Sequence, residues 1–265
     1  MTEDAAFRIL DAAWDSGIRA FDTAEAYGLS AARLRTWIDA RGNAGSLAVV
    51  TKCAVSGEDS LAARAENALR RFDSVGNVTL LTHGAVDGAE WEDVVHACER
   101  SGAIAGQSVY TAAEVIAAMS LEGLGRVQAP GNALDRRALN ARGDSATPLD
   151  LRSVYLQGVL LEDEDAADRR APGSRRFVAA LGQEADRAGL PLASLLIAVM
   201  LDLITQHDRL VIGVDDESEI DVLAMAADIP ASLITGFAAV ADRLSQAPDV
   251  SAILDPRAWP KPAPS

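Results

Sequence analysis

Lysine is almost missing from this chain. Of its 24 Lys and Arg residues only Lys52 and Lys261 are lysine, so nearly every positive charge is a guanidinium. Cysteine is nearly as scarce: Cys53 and Cys98 cannot make a disulfide framework, which points to a reducing, cytoplasmic setting. No apolar run approaches the roughly 20 residues needed to span a bilayer. The opening Met1-Thr2-Glu3-Asp4 is acidic where a secretion signal would be basic. A net charge of −15 argues against nucleic acid and anionic membrane surfaces as partners. No metal site is expected, and the sequence leaves the oligomeric state open.

What the chain has in quantity is apolar residues, 49% of 265 positions, enough for one large core. They are arranged in alternating helix and strand patterns. Thr2 can cap a first helix whose apolar face is Ala6, Ile9, Leu10, Ala13 and Trp14, stopped by Gly17. Strand signals follow at residues 18–22, 47–52, 78–82, 104–109, 127–130, 153–160 and 210–214, with helical stripes between them. Residues 131–148 read as irregular, with a short helix near 135–140. The acidic run Glu162-Asp163-Glu164-Asp165 reads as a solvated loop or helix start. Repeated strand–helix units predict α/β architecture, a TIM-type (β/α)8 barrel of which seven strands are visible. Residues 1–246 form the expected barrel domain, and residues 247–265 a Pro-rich C-terminal tail.

Lys52 closes a strand pattern, where burying a charge is costly without a partner. Its compact ammonium responds readily to its surroundings, as a guanidinium does not. Asp22 and Lys52 are 30 residues apart, and Lys52 and His83 are 31. About that length makes one strand–helix unit of a barrel of about 250 residues. The three polar residues therefore fall at the carboxyl ends of three successive strands, on the face shared with Ala20, Val50 and Leu81. Singly, each has a plain structural reading: an Asx-turn, an incidental charge, a satisfied structural histidine. Together, with Tyr27 on the loop after Asp22, they are hard to explain as packing.

The residue types suit one chemistry. A phenol has an unperturbed pKa near 10, too high for easy proton donation at neutral pH. A neighbouring ammonium stabilises the phenolate, and Asp22 would hold that ammonium charged and placed. His83 can donate a hydrogen bond to a carbonyl oxygen and orient it. Such a set protonates an oxygen but supplies no reducing equivalent, so a redox cofactor is implied.

Phe21-Asp22-Thr23-Ala24 with Tyr27-Gly28, then Thr51-Lys52, then Leu80-Leu81-Thr82-His83, resembles the aldo-keto reductase family. The resemblance implies a (β/α)8 barrel that reduces an aldehyde or ketone with NAD(P)H, with Asp22, Tyr27, Lys52 and His83 as the catalytic tetrad and Tyr27 as proton donor. It also implies that Ser108 and Gln128 contact the nicotinamide carboxamide. Tyr155, or Arg152, matches the position whose ring stacks on the nicotinamide. Leu156, Gln157, Gly158 and Gly213 match segments whose backbone amides approach the phosphates. The segment 151–158 resembles a branch associated with sugar metabolism, so the expected partner is a small, sugar-related carbonyl compound.

In members that favour NADP, basic residues meet the 2′-phosphate; here the matching region is Asp215-Asp216-Glu217-Ser218-Glu219, which predicts a preference for NADH. Two other readings stay open. One is a catalytically inactive homologue with a binding or regulatory role. The other is a lyase that forms a Schiff base on Lys52.

Overall fold

The computed structural model describes residues 1–261. The chain divides into two compact units: Met1–Ala129, Asn140–Asp150 and Val214–Ile220 form the first; Pro130–Leu139, Leu151–Gly213 and the chain from Asp221 form the second. Strand order equals chain order, β1-β2-β3-β4-β5-β6-β7.

In the first unit, helix α1 (Glu3–Asp15) starts where Thr2 Oγ1 accepts a bond from the Ala5 amide, as its sequence predicts. Strand β1 (Ala20–Asp22) is shorter than expected. Helix α2 (Ser30–Arg41) differs in its cap: Leu29 occupies the N-cap position, while Ser30 Oγ accepts from Thr23 Oγ1 at 3.0 Å. Strand β2 (Ala48–Cys53) leads into helix α3 (Leu61–Arg70), capped by Ser60, and strand β3 (Asn77–Thr82) into helix α4 (Gly88–Ser101). Strand β4 (Ile104–Ser108) is followed by helix α5 (Ala112–Met119), which a capping box between Thr111 and Glu114 begins, and then by strand β5 (Arg126–Pro130). All the pairings from β1 to β5 are parallel.

The middle of the chain departs from expectation. Helix α6 (Arg137–Arg142) starts two residues late, and strand β6 (Leu149–Arg152) precedes the predicted strand. Residues 153–158 are a turn instead of a strand. Ser153, Leu156 and Gln157 have φ of 63°, 50° and 57°, and Gly158 has 90°. Left-handed backbone of this kind cannot continue a strand.

The second unit continues with a 3₁₀ turn at Val159–Leu161 and helices α7 (Glu164–Arg170), α8 (Arg175–Ala188) and α9 (Leu192–Leu203). The acidic run is a helix start, since Asp163 accepts from the Ala166 amide. Strand β7 is only Arg209–Leu210. Helices α10 (Ser218–Asp228) and α11 (Ala231–Ser245) follow. Beyond them Val250, Ile253 and Leu254 are buried in the second unit's core beside Phe177, Leu195 and Phe237. Trp259 Nε1 donates to the Ile253 carbonyl at 3.1 Å. The segment read as a tail therefore packs as far as Trp259; its last four residues lie outside the described ones. Among the described residues, no single helix is long and apolar enough to cross a membrane.

Candidate active site

Register in the first unit's sheet decides which side chains meet. Asp22 pairs with Val50, Lys52 with Leu81, Leu81 with Gly106, and Ser108 with Gln128. Paired residues point to the same face, and so do residues two apart on one strand. Asp22, Lys52, Gly106, Ser108 and Gln128 thus share one face. Gln107 points the other way, where its Nε2 donates to the Val86 carbonyl at 2.6 Å.

Lys52 lies in a strand buried along its whole length and is itself 1% exposed. Its Nζ donates to Asp22 Oδ1 at 2.5 Å and to the Thr23 carbonyl at 3.2 Å. The second Asp22 oxygen is also taken: Gln128 Nε2 donates to Oδ2 at 2.8 Å. Behind it, Ser108 Oγ donates to Gln128 Oε1 at 3.2 Å. Strands β1 and β5 are four strand spacings apart, about 19 Å along a flat sheet at about 4.8 Å each. A 2.8 Å bond between them requires the sheet to curl until their inner faces meet. Gly106 serves the same crowding: a Cβ there would lie 2.4 Å from the Arg126 carbonyl oxygen and 2.6 Å from Leu81 Cδ2.

Tyr27 sits on a tight turn in which its amide donates to Ala24 O and its carbonyl accepts from Ser30 N, with Gly28 at φ 59°. The Tyr27 side chain is 46% exposed. Its ring centroid lies 5.2 Å from Lys52 Nζ, and its ring meets that of His83 edge-on, centroids 6.2 Å apart at 90°. His83 follows β3 directly and is held there by its amide, which donates to Cys53 O at 2.8 Å.

The first unit therefore gathers Asp22, Tyr27, Lys52 and His83, with Ser108 and Gln128 beside them. Tyr155, Leu156, Gln157, Gly158 and Gly213 belong to the second unit. There, the Leu156 and Gly158 amides donate within the turn, to Ser153 O and Tyr155 O. A Cβ at Gly158 would meet only Arg170 Nη1, at 3.6 Å, and one at Gly213 nothing within 4 Å. The Leu156 and Gly158 amides are thus engaged inside the turn, which Arg170 Nη2 also holds by donating to the Gln157 carbonyl at 2.6 Å.

The carboxylates of the acidic run, from which a preference for NADH was expected, have local partners. Asp216 Oδ1 accepts from Ser218 N at 2.9 Å and from Ser218 Oγ at 2.7 Å, which holds its carboxyl below the usual range. Glu219 Oε2 accepts from the Asp215 amide at 2.7 Å, and Glu217 pairs with Arg8. These carboxylates begin helix α10, where the helix dipole favours negative charge.

The model of the Aldo/keto reductase family matches residues 1–102. That match contains Asp22, Tyr27, Lys52 and His83. No curated protein matches the chain. Among solved structures, an aldo-keto reductase from Klebsiella pneumoniae in complex with NADPH is similar over 96% of this chain and 89% of its own, at 19% identity and TM-score 0.68. Another from Klebsiella pneumoniae, in complex with NADP and acetate, is 20% identical with TM-score 0.67, over 94% of this chain and 89% of its own. An aldo/keto reductase from Brucella melitensis is 15% identical with TM-score 0.66, covering 91% and 90%. These likenesses establish the fold as α/β of the TIM-barrel type, with seven strands among the described residues. Sequence reasoning missed Gly106 and the bond from Gln128 to Asp22. The single glycine inside the β4 pattern was the only available signal for the first.

Proposed function

We propose that this protein is an oxidoreductase that reduces an aldehyde or ketone to an alcohol, with Tyr27 delivering the proton. The observation that carries this reading is the buried Lys52 ammonium, fixed by Asp22 and 5.2 Å from the Tyr27 ring. When bound, a nicotinamide cofactor supplies the hydride. Lys52 stabilises the phenolate that forms as Tyr27 gives up its proton, and Asp22 keeps the ammonium in place. His83, edge-on to Tyr27, is placed to orient the carbonyl oxygen that takes the proton. Tyr155, Leu156, Gln157, Gly158 and Gly213 are the second unit's candidates for holding the cofactor. We assign NADPH as that cofactor, because the acidic run is engaged in a helix start and two neighbours were solved with NADP or NADPH.

A Schiff-base lyase is a weaker reading. Lys52 is 1% exposed and bonded to a carboxylate, which holds its nitrogen away from an incoming carbonyl. The test has two steps. Nicotinamide fluorescence titration should give a dissociation constant for NADPH lower than for NADH. Tyr27→Phe should then lower turnover about 10²–10⁴-fold while leaving that constant nearly unchanged. Equal turnover in the variant and the wild type would refute the assignment; cofactor binding without turnover would favour the inactive homologue.

A further inference from the structure

We propose that Gln128, with Ser108 behind it, is a positioning residue for the Asp22–Lys52 pair. The inference rests on the reductase reading above and concerns how that site is held.

Both ends of the Gln128 amide are engaged inside the protein. The side chain is fully buried, Nε2 donates to Asp22 Oδ2 at 2.8 Å, and Oε1 accepts from Ser108 Oγ at 3.2 Å. Ser108 is 1% exposed and sits on the facing strand as the direct register partner of Gln128. The orientation of the amide follows from the chemistry of its neighbours. An ionised carboxylate only accepts hydrogen bonds, so the Gln128 oxygen turned towards Asp22 would set two acceptors against each other. With the nitrogen towards Asp22, the oxygen faces Ser108, whose hydroxyl can donate. The relay therefore runs one way, Ser108 to Gln128 to Asp22, and ends on Lys52.

The consequence is mechanical as much as electrostatic. Asp22 is the last residue of the three-residue strand β1, so little backbone pairing fixes it. With Oδ2 held by Gln128, Oδ1 is left pointing at Lys52 Nζ, 2.5 Å away. Lys52 Nζ in turn lies 5.2 Å from the Tyr27 ring centroid. Removing the amide frees the carboxylate to rotate, and the ammonium loses its fixed place beside the phenol.

The experiment compares Gln128→Met with the wild type, using NADPH binding by fluorescence and glyceraldehyde reduction. A hydrogen bond to a charged group is worth enough that kcat should fall about tenfold or more, with the NADPH dissociation constant changed less than about twofold. In an Asp22→Ala background the same change should cost nothing further, since its acceptor is gone. A carboxamide contact would give the opposite split, weaker NADPH binding at unchanged kcat, and that result overturns the proposal. Ser108→Ala, which deletes one oxygen, should lower kcat in the same direction by less; it is the variant to use if Gln128→Met does not fold. Melting temperatures of Gln128→Met, Asp22→Ala and the double variant need no turnover. The double should melt with the lower of the two singles, and additive losses would show that the bond is not there. A wild type that binds NADPH but reduces nothing sinks the reductase reading, and the melting cycle still reports on the bond.

Discussion

Asp22→Asn keeps the shape of the side chain and removes the charge that balances Lys52. The ammonium is 1% exposed, with Asp22 Oδ1 at 2.5 Å and the Thr23 carbonyl at 3.2 Å as acceptors. Removing one partner of a buried ion pair costs about 3–5 kcal/mol, because the surviving charge stays desolvated and uncompensated. The Asp22 side chain is 14% exposed and Thr23 O remains in place, so the lower end applies, about 3 kcal/mol. For a chain of this size the midpoint of thermal unfolding should drop by about 6–12 °C. Lys52→Met should cost less, since Asp22 keeps Gln128 as donor and some access to solvent. The double variant should recover part of the Asp22→Asn loss, because it strands no lone charge. Circular-dichroism melts of the four proteins at neutral pH form the cycle. If Asp22→Asn melted within about 2 °C of the wild type, or the double variant lost the sum of the singles, the pair would not be a coupled buried unit.

Two further tests concern other groups. Burial pushes the Cys53 and Cys98 thiols up to about 11 and about 12, so neither forms the reactive thiolate near neutrality. Maleimide labelling at pH 8 should be negligible in the folded protein and complete in denaturant; rapid labelling when folded would contradict their burial. The side-chain bond from Arg41 holds the Asp11 carboxyl below its usual value, with Trp37 as a second donor. A lowered folded pKa contributes stability that is present above the unfolded value, about 3.9, and lost as pH falls through the folded one. Asp11→Asn should therefore flatten the acid limb of the stability curve below about pH 4 and do nothing to its shape above.

Much of the site was legible because a parallel strand–helix repeat converts sequence spacing into position. Asp22, Lys52 and His83 lie one unit apart, and the register that aligns them needs only the two-residue strand period. What was not legible depended on backbone or on curvature. Residues 153–160 are apolar enough to read as a strand, yet strand β6 ends at Arg152 and the turn after it uses left-handed Ser153, Leu156 and Gln157. Nothing in those side chains announces a positive φ, which glycine or asparagine would have done. The bond between Gln128 and Asp22 joins residues 106 apart on strands that only a strongly curled sheet brings together. The acidic run was hard to read for another reason. Carboxylates that cap a helix and carboxylates that bind ribose hydroxyls are the same groups, so only their partners tell them apart.

The scarcity of lysine makes position 52 a sharp test of the chemistry. A chain that places arginine at 22 of its 24 basic positions has no compositional reason to put lysine in a buried strand. Charge alone would be conserved by Lys52→Arg. The space around Lys52 is set by Asp22 Oδ1, the Thr23 carbonyl and the Tyr27 ring, all within about one side-chain width. A guanidinium is planar, wider, and spreads its charge over three nitrogens in a rigid fork. It would meet Asp22 face to face and push the Tyr27 ring outward, and the phenolate would lose the point charge that stabilises it. The expected result is a turnover loss at least as large as that of Tyr27→Phe, on the order of 10²-fold or more, with NADPH affinity within a few-fold of the wild type. Steady-state kinetics beside fluorescence titration separate the two quantities. Full turnover in Lys52→Arg would mean that any positive charge at this position suffices and that the placed ammonium is not what activates Tyr27.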